Sequence, residues 1–218
     1  MATPRATKAR LRSSRGRGAS SSRWLERHIN DRFVQGARAA GYRSRAAYKL
    51  LEIDAKARLL RPGLRVIDLG SAPGGWAQVA AARGCRVTGI DLQAVDPIEG
   101  ASLVQGDIFD PAAIAGLVEL AGGPAGLVLS DLATSATGQR AVDRLRADGL
   151  AEAVLRLLPE LLAPGGDLVL KLLRGVEAGI AADARRQFGR VRLIRPAASR
   201  TGSSEIYLVG SGWRPAPA

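Results

Sequence analysis

The chain has 218 residues, 46% of them hydrophobic, which suits one α/β domain with a sizeable core. Its formal charge of +12 selects a polyanionic partner, either nucleic acid or an anionic membrane surface. Aromatic residues at 4% exclude a platform that stacks many bases, the single cysteine Cys85 excludes an internal disulfide, and no apolar run is long enough for a membrane-crossing helix.

In chain order, residues 1–22 are expected to be a disordered basic tail. Through Arg23 the chain has seven cations and no acid, among Ser, Ala, Gly and Thr, and such a segment buries too little apolar surface to order itself. An arm of this kind neutralises phosphates and makes affinity salt-dependent. It lacks the apolar stretch of a secretory signal, so a cytoplasmic protein is the simplest reading; its Arg- and Ser-rich start also has the composition of an organelle transit peptide. Residues 23–213 form the expected domain, and 214–218 a flexible end. Helical patterns run from Trp24 to Ala40 and from Arg45 to Leu59, with Ser44 as the N-cap of the second. Arg43, Arg45 and Lys49 crowd that helix start. Cations there oppose the macrodipole, which suggests a role beyond stability.

From Arg65 on, short β-rich runs alternate with helical stretches. The runs cover 65–70, 86–91, 102–107, 126–131, 167–173, 191–195 and 205–209; the helices cover 76–83, 112–121, 142–162 and 176–188. This alternation predicts a mostly parallel sheet with helices on both faces. The link between the last two runs is too short for a helical crossover, so they form an antiparallel pair.

The chemistry-bearing residues gather at strand ends. The first run leads into Asp68-Leu-Gly70-Ser-Ala-Pro73-Gly74-Gly75-Trp76, a Gly-rich turn that lets a ligand approach the backbone. The second run ends in Asp91, placed for ribose hydroxyls, and Asp107 follows the third, placed for a base edge. The turn lacks the G-x-G-x-x-G spacing of a nicotinamide dehydrogenase. Its acid Asp68 suits a cationic ligand such as S-adenosylmethionine better than a pyrophosphate. Asp131 closes the fourth run, and Lys171 interrupts the apolar fifth, where an unpartnered ammonium is costly. An antiparallel seventh strand starts on that same rim, bringing Glu205 to it, and Lys49 joins if its helix packs over the rim. A lysine so placed takes or steers the proton of a poorly nucleophilic hydroxyl in an in-line methyl transfer. Lys49 would lower its pKa while Asp131 and Glu205 would raise it, so no net value follows from sequence. Base and orienter remain open roles for Lys171. One histidine, His28, and one cysteine are too few for a metal site of usual type, and none is expected.

These stretches, together with Ser20-Ser-Ser-Arg-Trp24, Arg43-Ser-Arg-Ala46, Tyr48-Lys49-Leu50, Asp96-Pro97-Ile98, Ala163-Pro164-Gly165-Gly166, Arg195-Pro196 and Ser199-Arg200, occur in an order and spacing that resembles the FtsJ-like family of ribosomal RNA large-subunit uridine ribose 2′-O-methyltransferases. The resemblance implies a seven-stranded, Rossmann-like methyltransferase fold that binds S-adenosylmethionine. It implies a catalytic tetrad of Lys49, Asp131, Lys171 and Glu205, with Lys171 central. It also implies cofactor contacts at Gly74, Trp76, Asp91, Asp107 and Asp131, with Asp68 added from the charge argument above. The implied substrate is a uridine of the 23S A-loop within the large ribosomal subunit, acted on by a monomer. The family usually has Met-Ala-Pro-Asn after the tetrad aspartate, where this chain has Leu132-Ala133-Thr134-Ser135. Two rival functions stay open, a transfer-RNA 2′-O-methyltransferase and a non-catalytic RNA-binding assembly factor.

Overall fold

The computed structural model describes residues 31–134, 137–175, 177–199 and 205–215. The predicted basic tail, the start of the first predicted helix and the last three residues lie outside these. Two short helices come first, α1 (Arg32–Ala39) and α2 (Ala46–Ala57). The alternating part follows as β1 (Arg65–Leu69), α3 (Gly75–Ala82), β2 (Arg86–Asp91), β3 (Ala101–Gln105), α4 (Pro111–Ala121), β4 (Ala125–Ser130), α5 (Arg140–Leu161), β5 (Leu162–Leu173), α6 (Glu177–Gln187), β6 (Phe188–Ile194) and β7 (Glu205–Trp213). All seven predicted strands and four alternating helices are present. β5 begins five residues earlier than its apolar run, because Leu162 already pairs with Ala125, ahead of a bulge that shifts the register before Asp167 pairs with Leu127.

The sheet order is β3-β2-β1-β4-β5-β7-β6. The β1–β5 strands pair in parallel, whereas β7 runs antiparallel to both β5 and β6. The predicted hairpin is therefore present, but its second strand is inserted into the sheet and its first forms the edge.

Side chains alternate across the sheet, and the two faces bury separate cores. Ile67, Leu69, Val128, Leu170, Leu172 and Leu208 face α4, α5 and α6. Val66, Leu127, Leu129, Val169, Tyr207 and Val209 face α2 and α3. Asp68 lies in phase with Val66, Asp131 with Leu129, Lys171 with Val169, and Glu205 with Tyr207. All four polar groups therefore project on the α2–α3 side.

Helix ends follow local chemistry. Asp31 caps α1 by accepting from the Phe33 backbone N–H, and Asp110 with Pro111 starts α4. Ser44 does not cap α2 as predicted. The N-cap residue is Arg45, with no side-chain cap bond, and the Ser44 hydroxyl is buried against Gly75 with no hydrogen-bond partner among the described residues. Asp54 ends α2, accepting from Leu59 and Leu60 N–H at 2.9 Å and pairing with Arg83.

Candidate active site

The carboxyl ends of β1, β2 and β4 meet the start of β7 on one rim. Lys171 is the third residue from the end of β5 and pairs with Tyr207 in the antiparallel ladder, while Leu173 pairs with Glu205. Directly opposed residues share a face. Lys171 and Tyr207 are thereby fixed side by side, and Glu205 stands two residues along the same face.

Lys171 Nζ donates to the Asp131 carbonyl at 2.6 Å and lies 3.2 Å from Asp131 Oδ1. Lys49 arrives from α2, with Nζ 2.9 Å from Glu205 Oε2 and 3.7 Å from Asp131 Oδ2. The four residues read from the sequence thus come together in one cluster. Each ammonium has a carboxylate partner, which offsets the cost of its burial. A cavity of about 490 Å³ opens beside Lys171 and Glu205, bordered also by Thr134, Arg144 and Leu172.

Tyr207 is the member that sequence reasoning missed. Its hydroxyl donates to Asp131 Oδ1 at 2.8 Å and accepts from Lys49 Nζ at 3.0 Å. Burial pushes its pKa well up, helped by the nearby Asp131 and Glu205 carboxylates and by the bond to Asp131. The phenol therefore stays protonated and bridges the two halves of the cluster. The only signal in the sequence was its period-2 phase with Glu205; a tyrosine in an apolar strand otherwise reads as core.

The second half of the rim is the Gly-rich turn. Gly70 and Gly74 have φ values of 81° and 105°, where a side chain would be strained. A Cβ on Gly70 would lie 2.9 Å from Leu132 Cδ2, and one on Gly74 would lie 2.6 Å from Ile98 Cδ1. Leu132, at the point of departure from the family pattern, thus packs onto the turn. Asp91 accepts from the Ala72 and Gln93 backbone N–H groups at 2.9 Å, holding the turn to the end of β2. Asp107 accepts from the Phe109 N–H and is exposed.

Asp68 is fully buried and neither of its carboxylate oxygens has a hydrogen-bond partner among the described residues. Burial raises its pKa to about 8, aided by Asp131 and Asp91; the Ala77 backbone N–H opposes this only weakly, since it falls outside hydrogen-bonding geometry. An acid so placed gains most from a cation that enters the cleft, since a positive neighbour restores the charged form. Trp76 behaves differently from an exposed contact. Its side chain is buried, its indole N–H donates to the Ala46 carbonyl at 2.8 Å, and its ring packs on Tyr207. The indole ties α3 to α2, so the side chain serves as packing between the two helices.

Comparison with known proteins gives this geometry its context. A family model described as FtsJ-like methyltransferase matches residues 42–213. The ribosomal RNA large subunit methyltransferase E of Acidiphilium cryptum is 49% identical over 208 residues, covering 94% of this chain and 92% of that protein. The protein of the same name from Xanthobacter autotrophicus is 46% identical over 217 residues, covering 96% of this chain and 85% of its own length. Among solved structures, a ribosomal RNA methyltransferase of Plasmodium falciparum superposes with a TM-score of 0.71 at 28% identity, over 79% of this chain and 98% of that one. A match that runs from the segment before α2 to the last residue of β7, with relatives alike over nearly their whole length, places this enzyme in the FtsJ-like methyltransferase family.

Proposed function

We propose that the protein transfers a methyl group from S-adenosylmethionine to the ribose 2′-hydroxyl of a uridine in large-subunit ribosomal RNA, the A-loop of 23S RNA, and works in the cytoplasm. The observation that carries this reading is the pairing of Lys171 with Asp131 at 2.6 and 3.2 Å on a rim shared with Asp68 and Asp91. The relatives named for large-subunit ribosomal RNA support the substrate class, and the net charge of +12 suits a polyanion.

The residues present fit the cofactor. Asp68 is the orphaned buried acid that a sulfonium or ammonium would satisfy. Asp91 would take the ribose hydroxyls, Asp107 the base edge, and Gly74 with the Trp76 amide would let the amino-acid end approach the backbone. Asp131 would lie beside the reacting centre. When bound, the cofactor supplies an electrophilic methyl on a positively charged sulfur.

The protein's own work is positioning, which supplies much of the acceleration in an in-line displacement. An ammonium has three N–H groups; Lys171 donates one to the Asp131 carbonyl and lies in ion-pair contact with its carboxylate, which leaves an N–H for the 2′-oxygen. That contact aligns an oxygen lone pair with the incoming methyl. As the oxygen–carbon bond forms and the methyl's bond to sulfur breaks, the hydroxyl proton would pass to the Asp131 carboxylate, since a fully protonated ammonium has no lone pair to take it. Lys49, Glu205 and the Tyr207 hydroxyl brace Asp131 from behind. The cavity of about 490 Å³ beside Lys171 has room for the target nucleoside.

Lys171→Ala is expected to lower methylation by roughly 10²–10⁴-fold, as loss of a proton-handling group does, with cofactor affinity nearly intact. Ribose-methylation mapping by mass spectrometry on large subunits and on transfer RNA, each incubated with wild type and variant, checks this. Methylation of transfer RNA alone would replace the substrate, and equal loss of binding and turnover would make Lys171 structural. Unaltered subunit maturation with Lys171→Ala would favour an assembly factor.

A further inference from the structure

The connection from β2 to β3 passes close to the Gly-rich turn, and one side chain joins them. Arg43, between α1 and α2, donates from Nη1 to the Asp96 carbonyl at 2.7 Å and from Nη2 to the Pro97 carbonyl at 2.6 Å. Nη1 also reaches the Pro73 carbonyl at 3.4 Å, inside the turn itself. The position of Arg43 is set from α3. Its backbone N–H donates to Gln78 Oε1 at 3.1 Å, and Gln78 Nε2 donates to the Gly41 carbonyl at 2.9 Å. A Cβ on Gly74 would lie 3.1 Å from Arg43 Cδ and 2.6 Å from Ile98 Cδ1. The stem of Arg43 and the end of loop 96–98 therefore rest on the α-carbon of the glycine assigned above to the cofactor.

By charge alone, an exposed arginine in a basic protein reads as a phosphate contact. The hydrogen bonds argue otherwise. A guanidinium has a planar fork of five N–H donors, and three are directed at backbone carbonyls of two different loops. Lysine lacks the fork and cannot hold two carbonyls in one plane.

We propose that Arg43 is a positioning residue for the cofactor cleft: it clamps loop 96–98 onto the Gly74 turn and does not serve as an RNA contact. This rests on the S-adenosylmethionine reading above. The clamp keeps two walls of the cleft in register, so its loss is felt as weaker cofactor binding.

The test uses the full chain as wild type, Arg43→Ala and Arg43→Lys. S-adenosylmethionine affinity is measured by calorimetry, and affinity for a 23S ribosomal RNA transcript by fluorescence anisotropy at several salt concentrations. Arg43→Ala is expected to bind the cofactor about tenfold more weakly, as loss of charge-assisted hydrogen bonds does. Arg43→Lys should recover only part of that affinity. RNA affinity and its salt slope should stay at wild-type values in both, with unchanged far-UV circular dichroism. Unchanged cofactor affinity, or weaker RNA binding with a shallower salt slope restored by lysine, would overturn the clamp. So would unfolding of both variants, which would make Arg43 a general structural residue. Failure of the wild type itself to bind S-adenosylmethionine would remove the cofactor reading and the clamp with it.

Discussion

Asp68 gives the rim a pH dependence whose sign can be worked out. Its folded pKa of about 8 lies above the ordinary 3.8, so between those values the fold keeps a proton that the unfolded chain has released. The stability associated with Asp68 is full below pH 4, falls as pH rises toward 8 and is level beyond. Asp68→Asn removes that loss. Its melting temperature is expected to exceed the wild-type value by a margin that widens from pH 4 to pH 8, measured by calorimetry in matched buffers. The same variant should bind S-adenosylmethionine more weakly. Wild-type binding near pH 7 should release a proton, seen as a buffer-dependent enthalpy. Asp131, Lys171 and Glu205 were legible in the sequence because a charge at the end of an apolar run needs a reason. Tyr207 was not, because its hydroxyl sits at the tip of a ring that packs as core. Arg43 was noticed for its charge, whereas its neighbours along the fold decide what it does.

At the scale of elements, α2 is the brace of the site. Arg45, Lys49 and Glu52 follow one another at helical spacing and line a single stripe. Glu52 accepts from the Ala197 and Ala198 backbone N–H groups at 2.6 and 2.9 Å, and Arg45 bonds the Ala198 carbonyl. The stripe holds the chain leaving β6 before it turns into β7. Glu52→Ala leaves the buried Ala198 N–H without its acceptor, while water can take the exposed Ala197 N–H, and is expected to cost about 1–3 kcal/mol, read as a lower denaturant midpoint at unchanged slope. Activity should fall with it, since Glu205 follows that loop. Strand–helix alternation and the short final connection were readable from hydrophobic period and spacing. The insertion of β7 between β5 and β6 was not, because pairing partners distant in sequence leave no local mark. Ser44 misled for a related reason: packing against Gly75 overrode its capping preference.

The whole molecule joins this site to a strongly cationic chain. Residues 1–20 contribute six of its 32 Lys and Arg residues and no acid. Deleting them is expected to weaken ribosomal RNA binding and to reduce the slope of log affinity against log salt by about 0.7 for each phosphate that the tail had neutralised. Cofactor affinity should be untouched, and anisotropy titrations over a salt series distinguish the two. The overall architecture was readable because seven strands and their crossovers recur along the chain; the tail's contribution was readable only as charge. The insertion of β7 also governs when a newly made molecule becomes competent. Synthesis proceeds from the N-terminus, and this strand, made after the other six, carries both Glu205 and Tyr207 into the sheet between β5 and β6. A nascent chain that already has its Gly-rich turn, Asp131 and Lys171 still lacks the groups that steady them. β7 must therefore be made and inserted before any methyl can be moved.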